Sequence, residues 1–123
     1  TKALKTNYSI PDSTYFQKNE EIREQDSSRF KDPEPIGGMR SIYRKIEYPR
    51  RARLAGIEGR VVIKFFVNPQ GKVIKPKVTR GIGAGCDKEA MRVVSQARFK
   101  PGTKDGKPVF VLYTLPLTFK LSN

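Results

Sequence analysis

The stretch KPVFVLYTLPLTFKL, residues Lys107–Leu121, decides the fold of this chain, because it is the longest apolar and β-prone run in the sequence. Every second position from Val109 to Leu121 is apolar, which predicts a strand with one buried face. Fully extended, the run would reach roughly 40 Å, which is longer than most strands. Pro116 lies inside it, and because proline cannot donate to a β-ladder, we expect an edge strand. A long edge strand near the C terminus is either an aggregation liability or a docking surface.

The composition limits what the chain can be. Its 123 residues are 37% hydrophobic and 30% charged, which suits one domain with one modest core. It has no apolar run of about 18 residues, so we expect no membrane span. A single cysteine excludes an internal disulfide, and the absence of histidine removes the commonest metal ligand and general base. Because the sequence begins at Thr1 rather than at Met, we expect a mature form or a piece of a longer protein.

The charge is unevenly distributed along the chain. Residues 1–36 carry 6 basic and 7 acidic side chains, whereas residues 37–123 carry 19 basic and 5 acidic ones. This positive potential is compatible with nucleic acid, anionic lipid, an acidic polymer or an acidic protein patch, or it merely solvates the surface. A nucleic-acid surface would interleave exposed aromatic residues with the basic cluster at Arg50–Arg53. Most aromatic residues instead follow the buried alternation of strands, so we do not expect nucleic acid as the partner.

Two segments differ in their sequence patterns. Residues 1–36 are polar and contain three prolines, which predicts a partly flexible linker or arm. The folded domain is predicted over residues 37–123. It opens with an amphipathic helix over Met39–Ile46, and a second short helix begins at Pro49 and ends at Gly56.

The next segments predict the sheet and a further helix. Gly59–Val67 alternates as a strand, a proline- and glycine-containing turn follows, and Lys72–Arg80 returns with Ile74 and Val78 on one face. Residues Cys86–Ala97 then have helical spacing. Together with the final strand this order predicts an α+β fold, namely a three-stranded antiparallel sheet with two main helices on one face: a β-β-α-β core preceded by short helices.

The residues that could take part in catalysis or cofactor binding do not form a recognisable catalytic or cofactor motif. Gly81–Gly85 is a weak match to a dinucleotide-binding loop, because its spacing is G-x-G-x-G and it follows a hairpin; we expect a flexible turn and no cofactor. Cys86 lies near a helix N-terminus but has no histidine base and an apolar helical position, which favours a small core residue. Asp87 is predicted to cap that helix, and its spacing from Glu89 places the two carboxylates on different sides. We therefore expect neither an enzyme nor a metal site.

Several short motifs, taken in order, resemble the TonB C-terminal domain family over residues 37–123. Each motif is modest alone, but the order and spacing together are specific, and the glycine pair before the first helix is similar to Bacteroidetes-type members. The residues that carry the resemblance are Gly37-Gly38-Met39, Tyr48-Pro49, Ala52, Gly56, Gly59, Gly71, Asp87, Ala90, Arg98–Pro101, Asp105–Val109 and Leu115–Leu121.

The resemblance implies a periplasmic binding module rather than an enzyme. In the family, an inner-membrane anchor and a long linker precede the domain, and the anchor associates with inner-membrane motor proteins driven by the proton-motive force. The domain binds the TonB box of an outer-membrane transporter as an added strand and transmits energy for active uptake. Such an anchor would lie outside this sequence, so the resemblance implies a periplasmic domain anchored to the inner membrane in the full-length protein.

The resemblance also implies which residues bind the partner. β-Augmentation takes its affinity from main-chain hydrogen bonds and needs an unpaired edge, which we expect because the last strand should overhang the hairpin. Pro116 should interrupt or shift the pairing there. The same edge would also permit pairing with a second copy of the chain. The implied partner-binding residues are Thr114, Leu115, Leu117, Thr118, Phe119, Lys120 and Leu121 on the strand, and Lys45, Ile46 and Glu47 before the Tyr-Pro pair.

Two alternatives stay open from the sequence. The domain could be an interaction or sensor module of a periplasmic or membrane signalling protein, such as a signalling peptidase, without motor coupling. It could also present a basic surface to peptidoglycan or nucleic acid, which predicts steeply salt-dependent binding. The transporter, its substrate and the oligomeric state cannot be identified from these residues.

Overall fold

A computed structural model describes residues 29–122 of the chain, so most of the predicted arm, residues 1–28, lies outside the described part. The α+β class is confirmed: the main sheet is antiparallel, with the strand Gly59–Val67 between the strands Val73–Arg80 and Val111–Phe119, and helices cover one face. No helix among residues 29–122 combines the length and the apolar character needed to cross a membrane. The elements are β1 (Phe30–Lys31), β2 (Glu34–Pro35), α1 (Gly38–Lys45), α2 (Arg50–Ala55), β3 (Gly59–Val67), β4 (Val73–Arg80), α3 (Cys86–Gln96), β5 (Phe99–Lys100), β6 (Thr103–Lys104), β7 (Lys107–Pro108) and β8 (Val111–Phe119).

The core lies between the main sheet and the three helices. Strands β3 and β8 alternate as predicted, so that their odd-numbered side chains point toward the helices, and all of these except the half-buried Tyr113 are buried. Helix α3 contributes residues spaced by about one turn, which places them on one face. Burial of each large aliphatic side chain contributes roughly 1.5–3 kcal/mol to stability. The fully buried side chains of this core include Ala52, Val61, Ile63, Phe65, Val67, Cys86, Ala90, Val94, Phe99 and Leu117.

The last strand is shorter than the sequence predicted. Strand β8 covers Val111–Phe119, and Lys107–Pro108 forms the separate strand β7, which pairs with β6 around a turn. Val109 and Phe110 are buried between the two strands, and the Val109 N–H donates to the Gly102 carbonyl at 2.9 Å. The prediction of one continuous strand was therefore wrong, because the apolar alternation continues through the break at Val109–Phe110, where the chain passes from β7 to β8.

Strand β8 does not overhang the hairpin. It pairs with β3 along its full 9 residues, from Val67 opposite Val111 to Gly59 opposite Phe119. The register does not shift at Pro116. The open part of β8 is therefore its long side, and the predicted overhang was wrong.

A β-bulge reverses the faces of β4. Lys75 has a φ of 50°, and an extra residue in β4 shifts the register there. As a result Val78 lies opposite the buried Ile63, whereas Ile74 lies opposite Phe66 on the other face of the sheet. The prediction that Ile74 and Val78 share a face was therefore wrong, because the bulge interrupts the period of two.

A short segment before α1 is attached to the rest of the domain. We call residues 29–36 the strap: β1 pairs with β6, β2 pairs with β5, and the Ile36 N–H donates to the Arg98 carbonyl at 2.9 Å. Pro33 and Pro35 are buried there. The sequence assigned these residues to the arm, whereas the structure shows them paired with the segment that leads into β8.

The carboxylate of Asp87 organises the loop before α3 rather than capping that helix. The helix begins after Gly85, which has a φ of 88° and makes no side-chain cap. Asp87 Oδ1 instead accepts hydrogen bonds from the N–H groups of Ile82 at 2.8 Å and Gly83 at 3.2 Å. The predicted cap was wrong because the carboxylate finds its donors outside the helix.

Candidate docking edge

The predicted strand residues differ in what they expose. The side chains of Leu115, Leu117 and Phe119 point into the core and are at most 3% exposed. Thr114, Thr118 and Lys120 lie on the opposite, exposed side, and Leu121 is half-buried. A partner that reaches this strand would meet its main chain and only the even-numbered side chains.

The main chain of β8 presents every second residue to the open edge. The N–H of Thr118 donates to the hydroxyl of Tyr43 at 3.0 Å, so it points away from β3. Hydrogen-bonding direction alternates along an antiparallel strand, which gives Leu112, Thr114 and Pro116 the same outward orientation. The N–H that Pro116 lacks would therefore lie on the open edge, so its absence costs no hydrogen bond to β3.

Toward the C-terminal end of this edge, one outward donor is missing at Pro116, and the next one, the Thr118 N–H, is bonded to Tyr43. Past the end of β8, the Leu121 N–H lies on the β3 side and donates to Glu58 Oε2 at 2.8 Å. The outward N–H groups of Leu112 and Thr114 have no acceptor among residues 29–122. These two groups and the carbonyls beside them form what we call the docking edge, which lies along Val111–Leu115.

The other edge of the sheet is unsuited to pairing. Strand β4 contains Pro76 next to the bulge, and its exposed side chains include Lys75, Lys77 and Arg80. Proline, bulges and lysines are the features that protect edge strands from pairing with other chains. The docking edge carries no charged residue within β8, and the side chain of Leu112 is 38% exposed beside it. The two edges therefore differ in a way that favours strand addition at β8.

The segment before the Tyr-Pro pair is held by helix α3. The Glu47 N–H donates to Glu89 Oε2 at 2.7 Å, and Arg92 donates to the Lys45 carbonyl at 3.1 Å and to Glu89 at 2.7 Å. The hydrogen bonds from Arg92 and then from the Glu47 N–H hold the pKa of Glu89 below its ordinary value, against the opposing effect of partial burial. Ile46 packs against the core. This segment borders an open groove of about 570 Å³ between the Tyr-Pro turn and α3.

Tyr48 links the two predicted parts of the site, namely the segment Lys45–Glu47 and the last strand. Its ring meets the ring of Phe119 edge-on with centroids 5.5 Å apart, and the Arg53 guanidinium lies 5.7 Å from its centre. Its hydroxyl donates to the carbonyl of Ile57, and burial raises its pKa. The Tyr-Pro turn therefore packs against the C-terminal end of β8, which is the end opposite the docking edge.

The cysteine is part of the core. Cys86 is fully buried, and burial, followed by the nearby carboxylate of Asp87, raises the pKa of its thiol. A protonated, enclosed thiol is a poor nucleophile. Within residues 29–122, no three histidine, cysteine, aspartate or glutamate side chains gather into a metal-ligand set.

The sequence profile described as "Gram-negative bacterial TonB protein C-terminal" matches residues 44–121. The chain belongs to the TonB C-terminal domain family. Protein TonB of Vibrio cholerae is 37% identical over 75 residues, which cover 60% of this chain and 31% of that protein. Protein TonB of Pseudomonas aeruginosa is 32% identical over 75 residues, which cover 60% of this chain and 22% of that protein. The chain thus spans less than a third of the length of these relatives.

Solved structures of TonB C-terminal domains resemble the fold. The solution structure of the Pseudomonas aeruginosa TonB C-terminal domain is 30% identical with a TM-score of 0.53, covering 63% of this chain and 80% of that one. A Helicobacter pylori TonB C-terminal domain is 26% identical with a TM-score of 0.53, covering 69% and 78%. These structures agree with the α+β fold predicted from the sequence.

One residue of this TonB C-terminal domain was missed as part of the site. Tyr43 fits the helical spacing of the core positions on α1, which predicts that it is buried. It is instead 40% exposed, and its hydroxyl lies at the edge of β8. The amphipathic pattern does not contain this information; the available signal was that a tyrosine hydroxyl needs a hydrogen-bond partner.

Proposed function

We propose that this chain is the periplasmic binding module of a TonB-type energy transducer. In this proposal the docking edge binds the TonB box of an outer-membrane transporter as an added strand. An N-terminal anchor in the full-length protein then connects it to the inner-membrane motor proteins, so that the proton-motive force drives active uptake. The observation that carries the proposal is that, on a domain of this family, the N–H groups of Leu112 and Thr114 face outward and have no acceptor among residues 29–122.

The chemistry of the edge supports strand addition rather than recognition of a fixed side-chain pattern. Main-chain donors and acceptors accept any extended peptide, and neighbouring side chains then add selectivity. The exposed side chain of Leu112 favours an apolar neighbour on the outer face of the sheet. The surrounding domain has 19 basic against 5 acidic residues over 37–123, which accelerates association with acidic partners at low salt.

The test uses the ¹⁵N-labelled protein and a synthetic TonB-box peptide of about ten residues from a candidate transporter. We expect the peptide to slow hydrogen exchange of the Leu112 and Thr114 amides and to shift their signals. A peptide of the same sequence with alternate backbone nitrogens methylated keeps its side chains but cannot pair, so it should not bind. Shifts confined to Arg50–Arg53 would reject binding at the edge.

A matched pair of variants separates pairing from folding. Thr114→Pro removes one outward donor, and the uninterrupted pairing at Pro116 shows that proline is tolerated at such a position. The variant should fold and lose at least about tenfold in affinity for the peptide. Leu54→Ala alters an exposed side chain on α2 and should bind like the unchanged protein. Equal affinity of Thr114→Pro and the unchanged protein would reject the proposal.

A further inference from the structure

We infer that Pro116 and Tyr43 together end the docking edge, so that an added strand pairs along Val111–Leu115 and stops before Thr118. The inference rests on the proposed function and concerns where on β8 the partner strand lies. It narrows the segment predicted from the sequence, Thr114–Leu121, to its N-terminal end and extends that end to Val111.

Pro116 removes the first donor that a longer added strand would use. Its backbone nitrogen faces the open edge, as the outward orientation of Thr118 and the alternation of the strand establish. The proline ring occupies the position of the missing hydrogen, so it both withholds a hydrogen bond and crowds a neighbouring strand. A partner strand that passes this point loses one bond and must bend away from β8.

Tyr43 occupies the next donor. Its hydroxyl accepts the Thr118 N–H at 3.0 Å, which is the bond that an added strand would make there. The tyrosine cannot withdraw easily, because Ile42 anchors the same helix in the core at 3% exposure. The Ser41 hydroxyl, which lies within hydrogen-bond distance of the Ile36 and Gly38 carbonyls, also ties the start of this helix. A longer partner strand would have to replace this bond with one of its own.

The docking edge is also limited at its other end. The Val109 N–H donates to the Gly102 carbonyl, and both Val109 and Phe110 are buried. The edge between these limits accommodates about five residues, or roughly 16 Å of extended chain. On the outer face Leu112 lies opposite Phe66 of β3, so the partner residue placed next to Leu112 should be apolar.

The test compares four proteins bound to the same peptide of about ten residues. They are the unchanged protein, Tyr43→Phe, which removes only the hydroxyl, Pro116→Val, which restores an outward donor, and the double variant. In the unchanged protein, intermolecular nuclear Overhauser contacts should reach from Val111 to Leu115 and no further. In the double variant they should extend to Thr118, and affinity should rise about tenfold because two more donors are available.

Hydrogen exchange at Thr118 provides a second readout. In Tyr43→Phe the Thr118 amide loses its acceptor, so its exchange should accelerate in the free protein. Added peptide should slow that exchange again only in the double variant. Spectra of the free variants report whether the fold is kept, and both substitutions lie at exposed positions.

The outcomes separate the inference from the proposed function. If the peptide protects Leu112 and Thr114 but also contacts Thr118 in the unchanged protein, the inference is wrong and the docking function stands. If the region paired with the peptide is the same length in the double variant as in the unchanged protein, the inference is also wrong. If no variant shows protection of Leu112 or Thr114, the docking function itself fails.

Discussion

The main chains of Gly71 and Phe99 touch at the turn between β3 and β4. The Phe99 N–H donates to the Gly71 carbonyl at 2.9 Å, and a Cβ atom on Gly71 would lie 2.0 Å from the Phe99 carbonyl oxygen. Gly71 also has a φ of 81°. The hairpin turn is therefore fastened to β5 through a residue that has no room for a side chain.

Gly71→Ala should destabilise the domain by about 3 kcal/mol, since the new methyl group forces the hairpin turn away from β5 and the φ is unfavourable. Gly106→Ala is the matched control, because Gly106 has a similar φ of 80° but a Cβ atom there would have no neighbouring atom within 4 Å. The control should cost about 1 kcal/mol. Urea denaturation measures both changes, and equal losses would contradict the contact.

Glu89 should contribute to stability in a pH-dependent way. Its pKa in the folded protein lies below the ordinary value, so its contribution is complete above the unfolded value of about 4.3. That contribution is lost as the pH falls through the lower folded pKa. Glu89→Gln should therefore cost about 1 kcal/mol at pH 7 and lose part of the acid dependence of unfolding. Parallel acid-unfolding profiles of the two proteins would contradict the assignment.

Tyr48→Phe should destabilise the domain by about 1–2 kcal/mol, because it leaves the Ile57 carbonyl without its donor while keeping the ring against Phe119. Tyr113→Phe is the control: no hydrogen bond of the Tyr113 hydroxyl is found within residues 29–122, so the change should stay within about 0.5 kcal/mol. Thermal unfolding compares the two. A larger loss for Tyr113→Phe would contradict the role assigned to the Tyr48 hydroxyl.

Cys86 should resist thiol reagents in the folded protein. It is fully buried and its thiol pKa is raised by burial, so labelling requires the core to open. We expect labelling at pH 8 to be at least about 100-fold slower than in urea-unfolded protein. A rate close to that of the unfolded chain would show that the helix α3 face is accessible.

The sequence correctly predicted the elements that have a regular apolar pattern and clear boundary residues. Strand Gly59–Val67 has the predicted bounds, and the second short helix lies between Pro49 and Gly56 as expected. In both, glycine or proline stands at a boundary, and the backbone preferences of these residues can be recognised from the sequence. Gly56, for example, takes a φ of 69° at the helix end.

The features that the sequence did not predict depend on main-chain geometry. The bulge at Lys75 changes which side chains of β4 face the core, yet a lysine with positive φ has no distinguishing sequence pattern. The outward direction of Thr118 and Pro116 follows from hydrogen bonding across β8, whereas apolar alternation reports only the side-chain faces. Strand pairs of two residues, such as β1 with β6, are too short to produce any period.

Under the proposed function, the strap would be the first part of the domain to experience a pulling force from the N-terminal side. A pull on the chain N-terminal to residue 29 acts first on strand pairs of two residues, β1 with β6 and β2 with β5. Elements pulled in series carry the same tension, so these short pairs should open at a lower force than the 9-residue pairing of β3 with β8. Their rupture would release roughly 25–30 Å of chain. Under the proposed function, the strap would therefore open and lengthen the chain before the force became high enough to separate β8 from β3.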